Sequence, residues 1–193
     1  MSYSVVPEDE TAPHNAEINP VKLEQLMRDI KAKQSLPLGI LGGFVAAVVA
    51  AIIWAIITYV TNFQIGFMAV GVGFLVGYAV NFFGKGINQS FGIAGAVLAL
   101  FGCLLGNLLT GAIAVARLDG SSASLVISTF ITSPEVMLEI MKAMFSPIDL
   151  LFYAIAVYEG YKISFRTLTE EEIASIQQQP PQPQAQQTQT PQP

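Results

Sequence analysis

Four long apolar runs alternate with polar segments along this chain of 193 residues, and they cover residues 37–60, 65–83, 91–116 and 147–163. The first three runs contain no charged side chain. At about 1.5 Å per residue, the first would be about 36 Å long and the second about 28 Å, enough to cross the hydrocarbon core of a bilayer. The fourth is shorter and carries Asp149 and Glu159. The pattern predicts an all-α, polytopic membrane protein with a four-helix transmembrane bundle over residues 37–163.

The N-terminal segment is polar. Residues 1–18 contain Pro7 and Pro13 and predict a disordered tail. Residues 19–34 predict a juxtamembrane amphipathic helix, because Asn19 suits an N-cap and Pro20 suits the first turn. Its apolar face consists of Leu23, Leu26, Met27 and Ile30. Such a helix lies on the membrane surface or packs on its own protein, and the sequence leaves both open.

Two further polar segments follow the third run. Residues 117–146 include "ASLVISTFI", too short to cross as a helix, and then "SPEVMLEIMKAMF", a predicted helix with a methionine-rich apolar stripe. Whether this connection packs on the membrane or projects from it stays open. Residues 164–193 predict a cytosolic tail, in which Thr169 and Glu172 fit a capping box. From residue 177 the tail is Gln/Pro-rich and is predicted to be disordered.

Composition supports a membrane protein. Hydrophobic residues make up 52% and charged residues 12% of the chain, whereas soluble domains carry roughly 25% charged residues. The net charge of −5 comes mainly from acidic residues near the two ends. No basic patch indicates nucleic acid binding. The single cysteine, Cys103, lies inside an apolar run, which favours a small packing residue over a reactive thiol.

Lys85 interrupts the apolar sequence between Gly84 and Gly86, and its place is explained by topology. Basic residues favour the cytoplasmic side of short loops. With four spans and a cytoplasmic N-terminus, one side receives Lys22, Arg28, Lys31, Lys33, Lys85, Lys162 and Arg166. The other side receives only Arg117 and Lys142. We therefore predict that both termini are cytoplasmic and that Lys85 marks an inner turn, with the flanking glycines allowing a tight reversal. The alternative is that Lys85 binds a lipid phosphate or a substrate.

Each predicted span has a face of small residues four positions apart. The pairs are Gly39 with Gly43, Gly73 with Gly77, Gly102 with Gly106, and Ala156 with Gly160. Such faces let helix backbones approach closely in a membrane. They predict a compact bundle, whose packing partners lie within the chain or between copies of it.

Three polar residues stand out inside the spans: Asn81, Asn107 and Glu159. The two amides predict interhelical hydrogen bonds or, alternatively, coordinating groups on a permeation path. Glu159 marks an ion or proton route, or else pairs with Lys162 near the membrane surface. Asp149 has the spacing of a helix cap after Ser146.

We predict no catalytic residue, no metal site and no cofactor. His14 stands alone, and the sequence contains no nucleophile–base pairing, no HExxH motif and no glycine-rich phosphate loop.

The central stretch "IGFMAVGVGFLVGYAVNFFGKGINQSFGIAGAVLALFGCLLGNLLTG" resembles a segment of small four-span bacterial membrane proteins of uncharacterised function in its glycine spacing and its "GKG". The resemblance extends over about residues 37–116. The resemblance implies a bacterial inner membrane and no particular activity. We predict a non-enzymatic accessory or scaffold subunit, with the lipid bilayer and either its own copies or a membrane protein as partners. The alternative is a small oligomeric transporter or channel with a path including Glu159 and Asn107.

Overall fold

The computed structural model describes residues 18–63 and 66–177. Within these ranges every regular element is an α-helix, and the β pairing consists of one isolated bridge between Ile18 and Gln177. The predicted all-α class is confirmed for this part of the chain. The predicted disordered tails fall almost entirely on residues 1–17 and 178–193, outside the described residues, as does the beginning of the second predicted span.

Eight helices follow one another along the described chain. They are α1 (Pro20–Lys33), α2 (Leu36–Thr61), α3 (Met68–Gly84), α4 (Gln89–Leu118), α5 (Ala123–Thr132), α6 (Pro134–Met144), α7 (Pro147–Ile163) and α8 (Glu170–Ile176). The four apolar runs correspond to α2, α3, α4 and α7, with boundaries that agree within three residues. The long connection after α4 forms two helices: α6 corresponds to the helix predicted over "SPEVMLEIMKAMF", whereas α5 was not predicted as a helix.

Length and composition identify two helices that can cross a membrane on their own, α2 and α4. Helices α5 and α6 qualify as a third candidate when taken together, although they are bent by 118° at the break between them. Helix α3 is apolar but has 17 residues, and α7 has the same length. Residues 18–63 and 66–177 thus contain two to three candidate spans by this criterion, where the sequence predicted four.

The described residues belong to two compact units. In the first, residues 18–28 and 168–177 meet at the Ile18–Gln177 bridge, and the Asn19 N–H donates to the Ile176 carbonyl at 2.8 Å. The Asn19 side chain accepts from the N–H of Val21, so it caps α1 as predicted. The predicted capping box of Thr169 and Glu172 begins α8.

The second unit covers residues 29–167. Helices α2, α3, α4 and α7 pack against one another, while α5 and α6 pack on the C-terminal part of α4. The buried core of the four helices is built mainly from small and β-branched side chains around three aromatic side chains, Trp54, Phe91 and Tyr153. Its members include Ala47, Trp54, Val72, Val76, Val80, Phe91, Ala99, Cys103 and Ala156. Close helix packing without bulky interlocking side chains is typical of membrane bundles.

Large apolar side chains cover the outward faces of these helices. On α3, Phe74, Tyr78 and Phe82 are exposed, and on α2 and α4 the rings of Phe44 and Phe101 stack with centroids 5.6 Å apart. Soluble proteins bury most such residues, so these faces suit contact with lipid or with another membrane protein.

Candidate functional site

The small-residue faces are used within the chain. A Cβ built on Gly39 would lie 3.1 Å from the Gly84 Cα, and one on Gly102 would lie 2.7 Å from a Val72 methyl group. The Gly73 and Gly77 face lies against the α7 backbone around Ala156 and Gly160, and Gly160 in turn lies on Gly95 of α4. Gly43 meets Val80, and Gly106 lies against the Trp54 ring. The predicted helix-packing residues therefore join α2, α3, α4 and α7 of one molecule.

Lys85 lies in the turn between α3 and α4, and its side chain is exposed. Lys85 itself has a left-handed backbone with φ of 49°, whereas Gly84 and Gly86 do not have a positive φ. The glycines serve close packing instead, because a Cβ on either one would overlap the ring of Phe91. The expected reversal is present, but lysine rather than glycine adopts the unusual conformation.

Backbone hydrogen bonds gather three chain segments at the Lys85 turn. The Ser35 N–H donates to the Gly84 carbonyl and the Arg166 N–H to the Gly86 carbonyl, each at 2.9 Å. The start of α2 and the segment after α7 thus lie at the same end of the bundle as Lys85.

Asn81 joins α3 to the end of α7. Its amide nitrogen donates to the carbonyl of Ile163 at 2.9 Å and to the carbonyl of Phe165 at 2.8 Å. The last carbonyls of a helix lack partners within the helix, so this amide satisfies groups that would otherwise be unpaired. The geometry favours the interhelical hydrogen-bond interpretation for Asn81.

Asn107 is buried on α4, with 4% of its surface exposed, and hydrogen-bonds the Tyr153 hydroxyl of α7. That hydroxyl also lies 3.4 Å from the Cys103 carbonyl. Both groups are therefore involved in contacts between α4 and α7.

Glu159 is half-buried on α7. Within residues 18–63 and 66–177, no cation lies within 4 Å of its carboxylate, and Lys162 lies over the Tyr158 ring instead, 5.6 Å from its centroid. Glu159 follows Tyr153, the partner of Asn107, by six residues, or about 9 Å along the helix. Asn107 and Glu159 therefore do not form one polar site within a single chain. Asp149 caps α7 as predicted, because it accepts from the Ser146 N–H at 2.8 Å.

A cavity of about 370 Å³ with a mixed polar and apolar lining lies between the C-terminal ends of α2 and α4. Its polar lining consists of Thr58, Asn62, Thr110 and Arg117, and its apolar lining consists of Ile113, Ala114, Leu118 and Met144. The described lining contains no carboxylate, imidazole or thiol. The cavity therefore offers hydroxyl and amide groups and one cation.

Two buried hydroxyls in this cavity are unsatisfied. Thr110 is 2% exposed, and neither its Oγ1 nor that of Thr58 has a hydrogen-bond partner among the described residues. The buried Nε1 of Trp54, one turn before Thr58 on α2, is also unpaired in the described part. Buried polar groups are usually paired. These three atoms have almost no accessible surface, so a molecule in the cavity does not reach them with the side chains placed as they are.

Arg117 lies at the end of α4. Its guanidinium donates to Asn62 Oδ1 and to the Tyr59 carbonyl, and it stacks 4.2 Å from the centroid of the Tyr59 ring. In the described part of the chain no carboxylate lies within 4 Å of it. Arg117 is thus a fixed cation without a neutralising acid.

The cavity was not predicted from the sequence, because Thr58 and Thr110 were not singled out and Arg117 was used only in the topology argument. The available signal was the four-residue spacing of Trp54 and Thr58 on α2, together with Thr110 and Arg117 two turns apart on α4.

Comparison of the chain with protein-family models, with curated proteins and with solved structures gave no match.

Proposed function

We propose that this chain is a multi-pass membrane protein in which α2, α3, α4 and α7 all cross the bilayer, and that it acts as a non-enzymatic accessory or scaffold subunit. At 17 residues, α3 and α7 are each about 25 Å long, the lower limit for a crossing. Their packing against the longer α2 and α4, together with their exposed apolar faces, supports this assignment.

The proposed topology places both termini in the cytoplasm of a bacterial cell, with the bundle in the inner membrane. The Lys85 turn, the start of α2 and the segment after α7 lie together, so their basic residues share one end. The positive-inside rule assigns that end to the cytoplasm. The bacterial origin rests on the resemblance of residues 37–116.

Four variants, each with one cysteine introduced beside the native Cys103, test the topology. We expect Phe63→Cys and Asp119→Cys to react with a membrane-impermeant maleimide in intact spheroplasts, and Lys85→Cys and Thr167→Cys to react only after permeabilisation. All four positions are exposed, whereas the native Cys103 is fully buried, so the wild-type protein is the unlabelled control. Labelling of positions 63 and 85 from the same side would show that α3 does not cross. Labelling of positions 119 and 167 from the same side would contradict the proposed arrangement, in which α7 alone crosses between them.

The scaffold proposal is carried by one observation: the glycine faces and both amides are used in contacts within the molecule. The surfaces left for contact with other molecules are large apolar faces, and they suit lipid, further copies of the chain or a partner protein. An accessory role needs stable surfaces of this kind and no reactive group.

The alternative function, an oligomeric transporter or channel, has one observation in its favour. Glu159 is a half-buried carboxylate with no cation beside it in the described residues, and such groups in membrane helices often mark ion routes. Because Glu159 and Asn107 lie apart in one chain, a path that includes both would have to form between copies.

One purification separates the two functions. The tagged full-length protein is extracted from native membranes in mild detergent, and the mass of its complex is determined by native mass spectrometry. A portion of the same sample is reconstituted in liposomes, and ion flux is measured. For a scaffold we expect a fixed stoichiometry of partner or of own copies and no ion flux. A chain ending at residue 177 is the matched control, since it lacks only the Gln/Pro-rich tail. Flux that Glu159→Gln abolishes would contradict the scaffold proposal and support the channel.

A further inference from the structure

We propose that α5 and α6 form an interfacial element, which inserts its apolar side chains into the outer leaflet of the bilayer and turns the charged face of α6 to water. The inference rests on the proposed membrane crossing of α4 and α7 but not on the scaffold role. The partner of this surface is the lipid bilayer itself, at the level where the acyl chains meet the head groups.

The end of the bundle opposite the Lys85 turn carries the most exposed apolar side chains. The ends of α2 and α4 meet there, because the Arg117 guanidinium donates to the Tyr59 carbonyl. The starts of α3 and α7 also meet, since the rings of Phe67 and Phe152 lie edge to face with centroids 6.5 Å apart. Among the described residues, the six most exposed large apolar side chains belong to this end and to α5, which packs on it. They are Val60, Phe63, Phe67, Leu118, Ile131 and Leu150. Apolar surface of this extent is typical of contact with lipid or with another protein.

Helices α5 and α6 are held at this end on both sides. Four residues connect α4 to α5, and two connect α6 to α7. The buried Phe130 of α5 packs with Ala112 and Ala116 of α4. A Cβ on Gly111 of α4 would lie 3.1 Å from a methyl group of Ile140 in α6. The pair is therefore fixed alongside the last turns of α4, at the level of the proposed outer membrane surface.

Helix α5 has no group that requires water. Its 10 residues carry no charge. The hydroxyls of Ser128, Thr129 and Thr132 donate to carbonyls of the same helix, at 2.7, 3.0 and 3.2 Å. Such bonds allow serine and threonine to lie in apolar surroundings without an unpaired donor. The exposed Leu125 and Ile131 can therefore enter the lipid without burying an unsatisfied polar group.

Helix α6 has three faces, because residues three or four positions apart lie on the same side of a helix. The inward face is partly buried, and it consists of Val136, Ile140 and Met144. The charged face is exposed, and it consists of Glu135, Glu139 and Lys142. The third face is apolar, and it consists of Pro134, Leu138 and Met141. A helix divided in this way lies in the plane of a membrane surface, with its apolar side in the acyl region and its charges in water.

The bend between α5 and α6 is too sharp for the pair to cross together. The helices have 10 and 11 residues, so each is about 15–17 Å long. With a bend of 118° between them, the two ends of the pair lie less than about 20 Å apart, short of the hydrocarbon thickness of about 30 Å. The geometry thus suits an element that enters and leaves the membrane at the same surface.

Spin labels on introduced cysteines test the proposal in the full-length protein, reconstituted in phosphatidylcholine liposomes. Electron paramagnetic resonance compares collisions of each label with oxygen, which concentrates in the bilayer, and with a water-soluble nickel chelate. We expect the labels of Ile131→Cys and Leu138→Cys to lie about 5–10 Å below the head groups. The matched control is Glu139→Cys, next to Leu138 but on the charged face, whose label should lie in water. The native Cys103 is fully buried, so the wild-type protein is the unlabelled control.

Two exposed positions calibrate the depth and separate this inference from the membrane crossing on which it rests. Val97→Cys places a label on the outward side of α4, and Thr167→Cys places one after α7. Labels at positions 131 and 138 in water, with that at position 97 in lipid, would refute the interfacial element and leave the crossing of α4 intact. Shielding of positions 131 and 138 from both reagents would also overturn the proposal, because a protein rather than lipid would then cover them. A label at position 97 in water would refute the proposed crossing and the inference with it.

Discussion

Replacing Gly73 by leucine is expected to abolish the folded bundle. A Cβ at this position would lie 2.6 Å from the Ala156 Cα and would also overlap its carbonyl oxygen. The obstacle is backbone, which cannot rotate away as a side chain can, so α3 and α7 would have to separate. Overpacking of a core typically costs about 1–3 kcal/mol and more where the backbone must move, so we expect a loss above about 3 kcal/mol. Unfolding in mixed micelles with increasing SDS measures this loss.

Gly71 provides the matched control on the same helix. A Cβ at Gly71 would have no heavy atom within 4 Å, so Gly71→Leu should unfold at the wild-type SDS concentration or above it. If Gly73→Leu were as stable as Gly71→Leu, the close contact between α3 and α7 would be refuted, and with it the assignment of the Gly73 and Gly77 face to packing within the chain.

The second large effect is expected for Phe91→Ala. The Phe91 ring is 2% exposed and lies within contact distance of three glycines, Gly39, Gly84 and Gly86, where α2, α3 and α4 meet. Glycine has no side chain, so these three residues cannot fill the space that the ring would leave. Removing a buried phenyl ring costs about 3–5 kcal/mol in protein cores, and the lost contacts apply equally inside a membrane bundle. We expect a destabilisation of about 3 kcal/mol in the same SDS assay.

Phe82→Ala is the control for the second prediction. The Phe82→Ala substitution removes a ring of equal size from the same end of the bundle, but 62% of the Phe82 surface is exposed. Its unfolding midpoint should therefore stay close to that of the wild type. Equal losses in the two variants would mean that Phe91 does not hold the Lys85 turn together.

The helices could be predicted from sequence because their signals are local. The apolar runs gave α2, α3, α4 and α7 to within three residues, and the caps at Asn19, Asp149 and Thr169 were predicted from spacing alone. Each cap depends on atoms three residues apart, so no tertiary information is required. The count of crossings was less secure, because 17 apolar residues lie at the limit of what a bilayer needs.

The contacts between helices could not be predicted from the sequence. A polar site could be built from Asn81, Asn107 and Glu159. Whether these side chains come together depends on how α3, α4 and α7 are rotated about their axes. That rotation follows from which small residue meets which backbone, as at Gly73 and Ala156. The cavity at Thr58 and Thr110 arises in the same way, since two stripes on separate helices become one site only through the parallel packing of α2 and α4.

The unpaired threonine hydroxyls have a practical consequence for protein engineering. A screen for variants with higher thermal stability in detergent should enrich valine at positions 58 and 110, because valine has the shape of threonine without the buried polar atom. Those variants would give better-behaved samples for structural work, without changing the shape of the packing between α2 and α4.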